Sequence, residues 1–457
     1  MRLKGTLPQM SGQLELPFES RGEAPKGKRS EEVPMAAYAI ESSGRDGLME
    51  RVVERSNLLT ALKRVKSNKG SPGVDGMTVG ELSAHLKEHW QEIREQLLAG
   101  TYRPQMVKRQ LIPKSGGGMR ELGIPTVLDR FIQQAILQVL QTDLDASFSQ
   151  YSYGFRPGKS AHQAIGQAQR YIQEGRRWVV DVDLEKFFDR VNHDVLMGRL
   201  EKRIRDRRVL VTIRRYLEAG VMAGGVTIER YEGTPQGGPL SPLLANVLLD
   251  EVDKELESRG HSFIRFADDC NVYVKSRRAG ERVMELLRRL FTGLKLRVNE
   301  AKSAVDRVTR RKVLGYSFWY AKGSVVKRRV APKALKVMKD RVRRITARNC
   351  GRSIPQVIEE LREYLTGWRL YFQLADTPGI FGGLDEWIRH RLRALQLKQW
   401  KRGTTIFREL RARGLSVPTA ARVAANGRRW WKNSDKVIHL ALPNSYFDQL
   451  QLPRLKV

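Results

Sequence analysis

Two acidic stretches hold the residue types that could do chemistry. Residues 261–275 read His-Ser-Phe-Ile-Arg-Phe-Ala-Asp-Asp-Cys-Asn-Val-Tyr-Val-Lys, so apolar β-formers flank a turn that carries Asp268 and Asp269 side by side. Neighbouring carboxylates repel, and a bound divalent cation would account for the pair; so would a solvated turn, where Asp is common. Residues 179–189, Val-Val-Asp-Val-Asp-Leu-Glu-Lys-Phe-Phe-Asp, again form a hydrophobic strand that ends in carboxylates. Period-two geometry puts Asp181 and Asp183 on one side of that strand. If the two strands lie together, Asp183, Asp268 and Asp269 converge as hard oxygen ligands, a donor set that selects Mg²⁺, or Mn²⁺, over softer metals. Two such ions about 3.5–4 Å apart can activate an attacking 3′-hydroxyl and stabilise a departing pyrophosphate, which is nucleotidyl transfer. Asp181 and Asp189 read as structural or surface residues.

The elements that must position these carboxylates are legible from periodicity. A β-rich run over 178–182, a second over 262–276 and a helix over 281–291 suggest an α+β sheet domain with helices on one face. Upstream, Val52, Leu58, Leu59, Leu62 and Val65 fall at helical spacing before the turn signal at 68–73. Two β-like runs, 106–112 and 120–124, are interrupted by Lys114-Ser-Gly-Gly-Gly118, which predicts a hairpin with a mobile, basic tip. Thr126 with Asp129 resembles a capping box opening a helix through Leu140. Beyond Tyr320 the pattern is helical, with Leu335, Met338, Val342 and Ile345 as one apolar stripe on an otherwise basic helix.

Composition narrows the partner. In 457 residues, 83 Lys and Arg against 50 Asp and Glu leave a net charge of +33, which points to a long polyanion. Two cysteines, Cys270 and Cys350, build neither a disulfide framework nor a zinc site. No apolar run approaches the roughly 18 residues of a membrane span, and the N-terminus lacks a signal-peptide core, so no membrane partner is expected and the chain reads as intracellular. Residues 1–47, rich in Ser, Gly, Pro and Glu, read as a flexible leader.

These residues resemble a known family. Phe266-Ala267-Asp268-Asp269 looks like the aromatic-x-Asp-Asp box of reverse transcriptases, with Asp183, 85 residues earlier, matching the first palm aspartate. Further boxes are similar to those of the reverse transcriptases encoded by bacterial group II introns, the intron maturases: Ile112-Pro113-Lys114 through Arg120-Glu121-Leu122-Gly123-Ile124-Pro125, Tyr153-Gly154-Phe155-Arg156-Pro157, Gly233-Thr234-Pro235-Gln236-Gly237-Gly238-Pro239-Leu240-Ser241-Pro242 and Val313-Leu314-Gly315-Tyr316. The resemblance runs from about Ser56 past Phe372. It implies right-hand fingers (48–175 with an N-terminal extension), a palm whose β-sheet packs on helices (176–320), an α-helical thumb or domain X (321–400) and a small basic, DNA-binding-like helical region (401–457).

Carried over residue by residue, the resemblance implies that Asp183, Asp268 and Asp269 are catalytic and hold two Mg²⁺ ions. Lys114 and Arg120 would grip the incoming triphosphate, and Gln236 would lie against the nucleotide. Phe188 would sit under the sugar and exclude a 2′-hydroxyl, so that dNTPs are selected; ordinary core packing is expected of at least one of Phe187 and Phe188. Phe266 stands where Tyr is commoner, which bears on substrate contacts and not on metal binding.

Residues 322–352 hold twelve Lys and Arg and one acidic residue, Asp340, an arrangement suited to phosphate. Lys327, Arg328, Arg329, Lys333, Lys336, Arg343 and Arg344 are the candidate nucleic-acid contacts. Tyr364-Leu365-Thr366-Gly367-Trp368 through Tyr371-Phe372 resembles the domain X signature. Trp430 and Trp431, among arginines, are equally compatible with stacking on bases and with core packing. With no cysteine after Cys350, an H-N-H endonuclease is not expected. The expected protein is an RNA-directed DNA polymerase of the bacterial cytoplasm that also binds its group II intron RNA as a maturase, assists splicing, and copies an RNA template from a DNA primer or target with dNTPs. Its oligomeric state is not readable. A non-catalytic RNA-binding splicing chaperone and a domesticated reverse transcriptase in defence or repair are the alternatives; the intact aspartate trio argues against the first, and the basic C-terminal part against the second.

Overall fold

The computed structural model describes residues 47–113, 119–223, 226–228, 232–234, 237–349 and 351–456. Among them are the strands β1 (Val107–Pro113), β2 (Met119–Ile124), β3 (Trp178–Val182), β4 (Val221–Ala223), β5 (Val226–Ile228), β6 (Ser262–Phe266), β7 (Asp269–Val274), β8 (Ala304–Arg307), β9 (Lys312–Val313), β10 (Tyr316–Tyr320) and β11 (Val326–Val330). They form three sheets, in the orders β2-β1-β4-β5, β6-β7-β3-β8 and β11-β10-β9. The leader lies outside the described residues, as does the hairpin tip.

The sheet that matters most is β6-β7-β3-β8, antiparallel throughout. Val180, Val182, Phe263, Val272 and Val274 enter one core with the helix Arg277–Gly293, while Val179, Ile264 and Tyr273 enter a second core with Ala164, Ile165 and Ala168 of the helix Ala161–Gln173. Helices therefore cover both faces, not one. The reason is in the strands: Val179 and Val180 point opposite ways and are both buried, so neither face can be left to water. The second core continues through β10 and β11 into the helices Pro332–Ile345, Ile354–Phe372 and Pro378–Gln399; of the apolar stripe expected on the first, Met338, Val342 and Ile345 are buried and Leu335 is half-buried.

The first hairpin stands away from both cores. Beyond Val107, β1 is exposed along its length, and Leu111, Ile112 and Met119 are exposed apolar residues. Its far end is anchored by Thr126, whose hydroxyl caps the helix Val127–Leu144 by accepting from the Asp129 amide at 3.0 Å. The expected helix near residue 52 is two, Leu48–Val52 and Arg55–Ser67, broken at Val53 and Glu54. No helix among the described residues is long and apolar enough to cross a membrane.

Strands β6 and β7 join through the two residues Ala267 and Asp268, with Phe266 paired to Asp269. Ala267 takes φ 58°, a left-handed conformation that costs a non-glycine residue roughly 1–2 kcal/mol. A buried cation holds it there. Arg265, inside β6, donates from Nη1 to the Ala267 carbonyl and to Asn246 Oδ1, both at 2.9 Å, and from Nε and Nη2 to the Asp253 carboxylate at 2.8 and 2.6 Å. Asn246 and Asp253 sit on the helix Ser241–Ser258, whose buried face is mostly Leu and Val. Asn246 in turn donates to the Gly154 carbonyl at 3.0 Å. A side chain at Gly154 would meet the Ala267 nitrogen at 2.2 Å, so only glycine lets that segment close over the turn. Removing Asp253 would leave the Arg265 charge buried and unpaired. Asp253→Ala is expected to lower the unfolding free energy by about 3–5 kcal/mol in urea denaturation, and a loss below 1 kcal/mol would mean that Arg265 is not held by this pair.

Candidate active site

The β3–β7 register pairs Asp181 with Asn271 and Val182 with Cys270. One further step of that register sets Asp183 across from Asp269, at the turn that carries Asp268. The strands thus bring the three aspartates of the sequence analysis to one end of the sheet. Backbone contacts fix the first of them: the Asp183 amide donates to Ser303 Oγ at 3.0 Å, and its carbonyl accepts from the Asn299 amide at 2.8 Å. Its carboxylate lies 3.3 Å from Lys302 Nζ.

Electrostatics shows the aspartates acting on one another. Asp269 is exposed at the start of β7, yet protein surrounds it on most sides. That desolvation, then the charges of Asp268, Asp181 and Asp183, pushes its carboxyl up to about 6, with Lys312 pulling the other way. Asp181 is spoken for: it accepts from Asn271 Nδ2 at 2.8 Å and from both Nε and Nη2 of Arg311, at 2.9 and 2.6 Å. Among the described residues no three acidic, His or Cys side chains stand close enough to be a ready-made metal cage. The donor set itself fits a hard divalent cation: all oxygen, at one strand end, with a carboxylate that its neighbours disfavour and that a cation would relieve.

Beside the carboxylates lies a cleft of about 560 Å³ lined by Phe188, Phe155, Arg130, Gly237, Gly238 and Pro239, among others. The two phenylalanines part here. Phe187 is buried in the core, while Phe188, its ring 5.0 Å away, is half-buried and faces the cleft. The segment from Gly233 is clasped to it: the Thr234 amide donates to the Phe188 carbonyl and the Gly233 amide to that of Val191, both at 2.7 Å. Gly233 has φ 91°, and a Cβ there would meet the Asp189 carbonyl at 2.9 Å. Lys114 and Gln236 lie outside the described residues. Arg120 is placed in β2, opposite Ile112, but its side chain is outside them too.

Of the proposed nucleic-acid contacts, Arg329, Lys333, Lys336, Arg343 and Arg344 are exposed and Lys327 half-buried. Arg328 is turned to Asp376, donating its amide at 2.8 Å and its Nε at 3.2 Å, and Arg343 pairs with Asp340 at 2.6 Å. Trp431 is 43% exposed and stacks on His390 with ring centroids 3.8 Å apart, whereas Trp430 is half-buried near Arg348 and Lys398. Sequence reasoning missed Arg265, Asp253 and Lys302. The first two carried a signal: a charge inside an apolar strand and an acid inside an apolar helix must find each other or water. Lys302 carried none, because it meets Asp183 only through the fold.

Comparison with known proteins agrees with this geometry. Residues 112–318 match the family described as "Reverse transcriptase (RNA-dependent DNA polymerase)", and residues 335–414 match "Group II intron, maturase-specific domain". Protein YkfC of Escherichia coli (strain K12) is 34% identical over 302 residues, 57% of this chain and 79% of its own. The group II intron-encoded protein LtrA of Lactococcus lactis subsp. cremoris is 38% identical over 195 residues, 42% of this chain and 32% of its own. Nuclear intron maturase 2, mitochondrial, of Arabidopsis thaliana is 28% identical over 177 residues, 30% of this chain and 24% of its own. The match thus takes in most of YkfC but a third or less of the other two. With a reverse transcriptase match over residues 112–318 followed by a maturase-specific domain, the chain belongs to the group II intron reverse transcriptase/maturase family.

Proposed function

We propose that this chain is an active RNA-directed DNA polymerase that works on, and stays bound to, a group II intron RNA. The observation that carries the reading is the placing of three aspartates at one strand end, where burial first and then the neighbouring aspartates push the Asp269 carboxyl up to about 6. Asp183, Asp268 and Asp269 would hold Mg²⁺ or Mn²⁺, which when bound makes a primer 3′-hydroxyl more acidic and neutralises the departing pyrophosphate. The chain's own residues do the positioning. Arg265 fixes the turn that aims Asp268, and Lys302 offsets the charge on Asp183. Phe188, clasped by Thr234 at the cleft wall, supplies bulk where a 2′-hydroxyl would enter. Lys114, Arg120 and Gln236 complete the nucleotide site in this reading: the first two give charge-assisted donors for a triphosphate, and the third lies against the nucleotide.

Lys327, Arg328, Arg329, Lys333, Lys336, Arg343 and Arg344 would meet phosphates of template–primer and intron RNA. The product fits cDNA synthesis primed at a DNA target, with splicing assisted by the same RNA contacts, in the bacterial cytoplasm. The relatives' names, an intron-encoded protein and an intron maturase, support the RNA partner.

Three measurements test it. Primer extension on an RNA template with dNTPs and Mg²⁺ should proceed with the native chain and fall at least about 10³-fold in Asp268→Asn, with RNA binding kept; tight RNA binding without extension by either protein would leave a splicing chaperone as the reading. Phe188→Ala should raise ribonucleotide incorporation relative to dNTPs by about 10–100-fold, the scale of one steric contact, and an unchanged ratio would take Phe188 out of sugar selection. A carboxyl held near 6 must lose its proton to take a cation, so Mn²⁺ affinity, followed by electron paramagnetic resonance, should drop about tenfold between pH 7 and 5. In Asp269→Asn that pH dependence should flatten; the same slope in both proteins would mean another group governs it.

A further inference from the structure

We propose that the rear of the catalytic sheet carries a second phosphate-binding site, for the backbone of a structured RNA, outside the polymerase cleft. A cavity of about 500 Å³ opens where β7 ends, between the end of the helix Ser241–Ser258 and the helix Arg277–Gly293. Its floor is apolar, made of Val274, Ala279, Val283 and Leu286, and its rim is basic: Arg259, His261, Lys275, Arg282 and Arg289. Val274 is five residues along β7 from Asp269, about 17 Å at the rise of a strand, and at the other end of the hairpin from the catalytic turn. A ligand bound there leaves the cleft free.

Carboxylate partners are scarcer on this rim than beside it. On the same helix, Arg277 meets Glu281 at 2.9 Å and Arg288 meets Glu300 at 2.8 Å. Arg259 on the rim meets Glu255 at 2.6 Å. Among the described residues, no carboxylate lies within ion-pairing distance of Lys275, Arg282 or Arg289. Of the four Lys and Arg on the rim, only Arg259 has a carboxylate partner among the described residues. Arg282 and Arg289 are two helical turns apart on one face, about 10.5 Å along the axis, so they project into the same opening. Burial, and then Arg259, holds His261 below its ordinary pKa, so at neutral pH it offers a hydrogen bond without adding to the charge. Guanidinium forks over an apolar floor suit phosphate oxygens, because an arginine stem can rest on apolar surface while its head stays in water. A chain of net charge +33 favours nucleic acid over an acidic protein as the source of that anion. The site rests on the proposed function only in taking RNA as partner; it does not need the polymerase to be active.

The test uses the full chain preloaded with a short primer–template duplex, to which a fluorescent RNA hairpin is added at several salt concentrations. Lys275→Gln/Arg282→Gln/Arg289→Gln should weaken hairpin binding about tenfold at physiological salt and flatten the slope of log affinity against log salt by about two to three. Primer extension on the preloaded duplex should stay within twofold, and thermal unfolding should match the native chain, since all three side chains are exposed. Arg277→Gln/Arg288→Gln, which removes two carboxylate-paired arginines of the same helix, should leave hairpin binding nearly unchanged, and Arg282→Lys/Arg289→Lys should retain most of it. An equal loss in the paired-arginine variant, or no loss in the triple variant, overturns the site. Loss of extension together with binding would put these residues in the cleft, and overturns it too. A triple variant that loses poly-glutamate binding but keeps the RNA hairpin would assign the rim to an acidic protein instead.

Discussion

A guanidinium sealed away from water sets the geometry of this protein. Arg265 cannot shed its proton, and burial opposes its charge; the Asp253 carboxylate outweighs that opposition and holds it above its ordinary pKa. Satisfying such a group fixes whatever satisfies it. Its partners come from the helix Ser241–Ser258 and from the Ala267 carbonyl, and its own backbone bonds Tyr151 and Tyr153 at 2.9 and 2.8 Å. Helix, the Ala267–Asp268 turn and the Tyr153-Gly154-Phe155 segment are thereby fastened at one point. A hydrophobic side chain in place of Arg265 could fill the volume but could not hold a carbonyl in a left-handed turn.

That fastening is what permits the carboxylates their positions. Asp268 and Asp269 repel each other and feel Asp183 and Asp181, so a soft turn would let them separate. Here the strands resist: Val180, Val182, Phe263 and Val272 are packed in one core, and Val179, Ile264 and Tyr273 in another. The neighbouring Asp181 shows the other way to settle such a charge. Arg311 and Asn271 take up both its oxygens, so it stays on the sheet as a structural group, while Asp183, two residues further, has Lys302 beside it.

Much of this was legible in the sequence because it was local. The β6–β7 hairpin, the strand before Asp183, the Thr126 cap and the apolar stripe from Met338 to Ile345 each follow from spacing within a few residues. What was not legible was which partners the fold would bring together. Arg265 to Asp253, Asp183 to Lys302 and Arg328 to Asp376 are contacts that only the closed fold creates. The expectation of helices on one face failed for a related reason: Val179 and Val180 read as one apolar run, and a run does not say that two different helices will claim its two sides. Phe187 and Phe188 could be told apart only once the Gly233–Thr234 segment was seen to clasp the second.

The cleft and the maturase-specific domain store the same kind of energy with opposite sign. Around Trp387, Lys339, Arg343 and Arg391 stand 5.8, 5.7 and 5.4 Å from the ring centre. Burial, then Arg343 and Arg348, pull Arg391 below its ordinary pKa, so this half-buried cation has cations for neighbours. The indole face offsets part of that repulsion, by roughly 0.5–2 kcal/mol per contact, and Asp340 offsets some of the charge on Arg343. A polyanion would offset the rest. A fold that keeps carboxylates together at one site and guanidinium groups together at another is stabilised by whatever binds them, so a cation or a nucleic acid bound there would act on the folding equilibrium as well as on the chemistry.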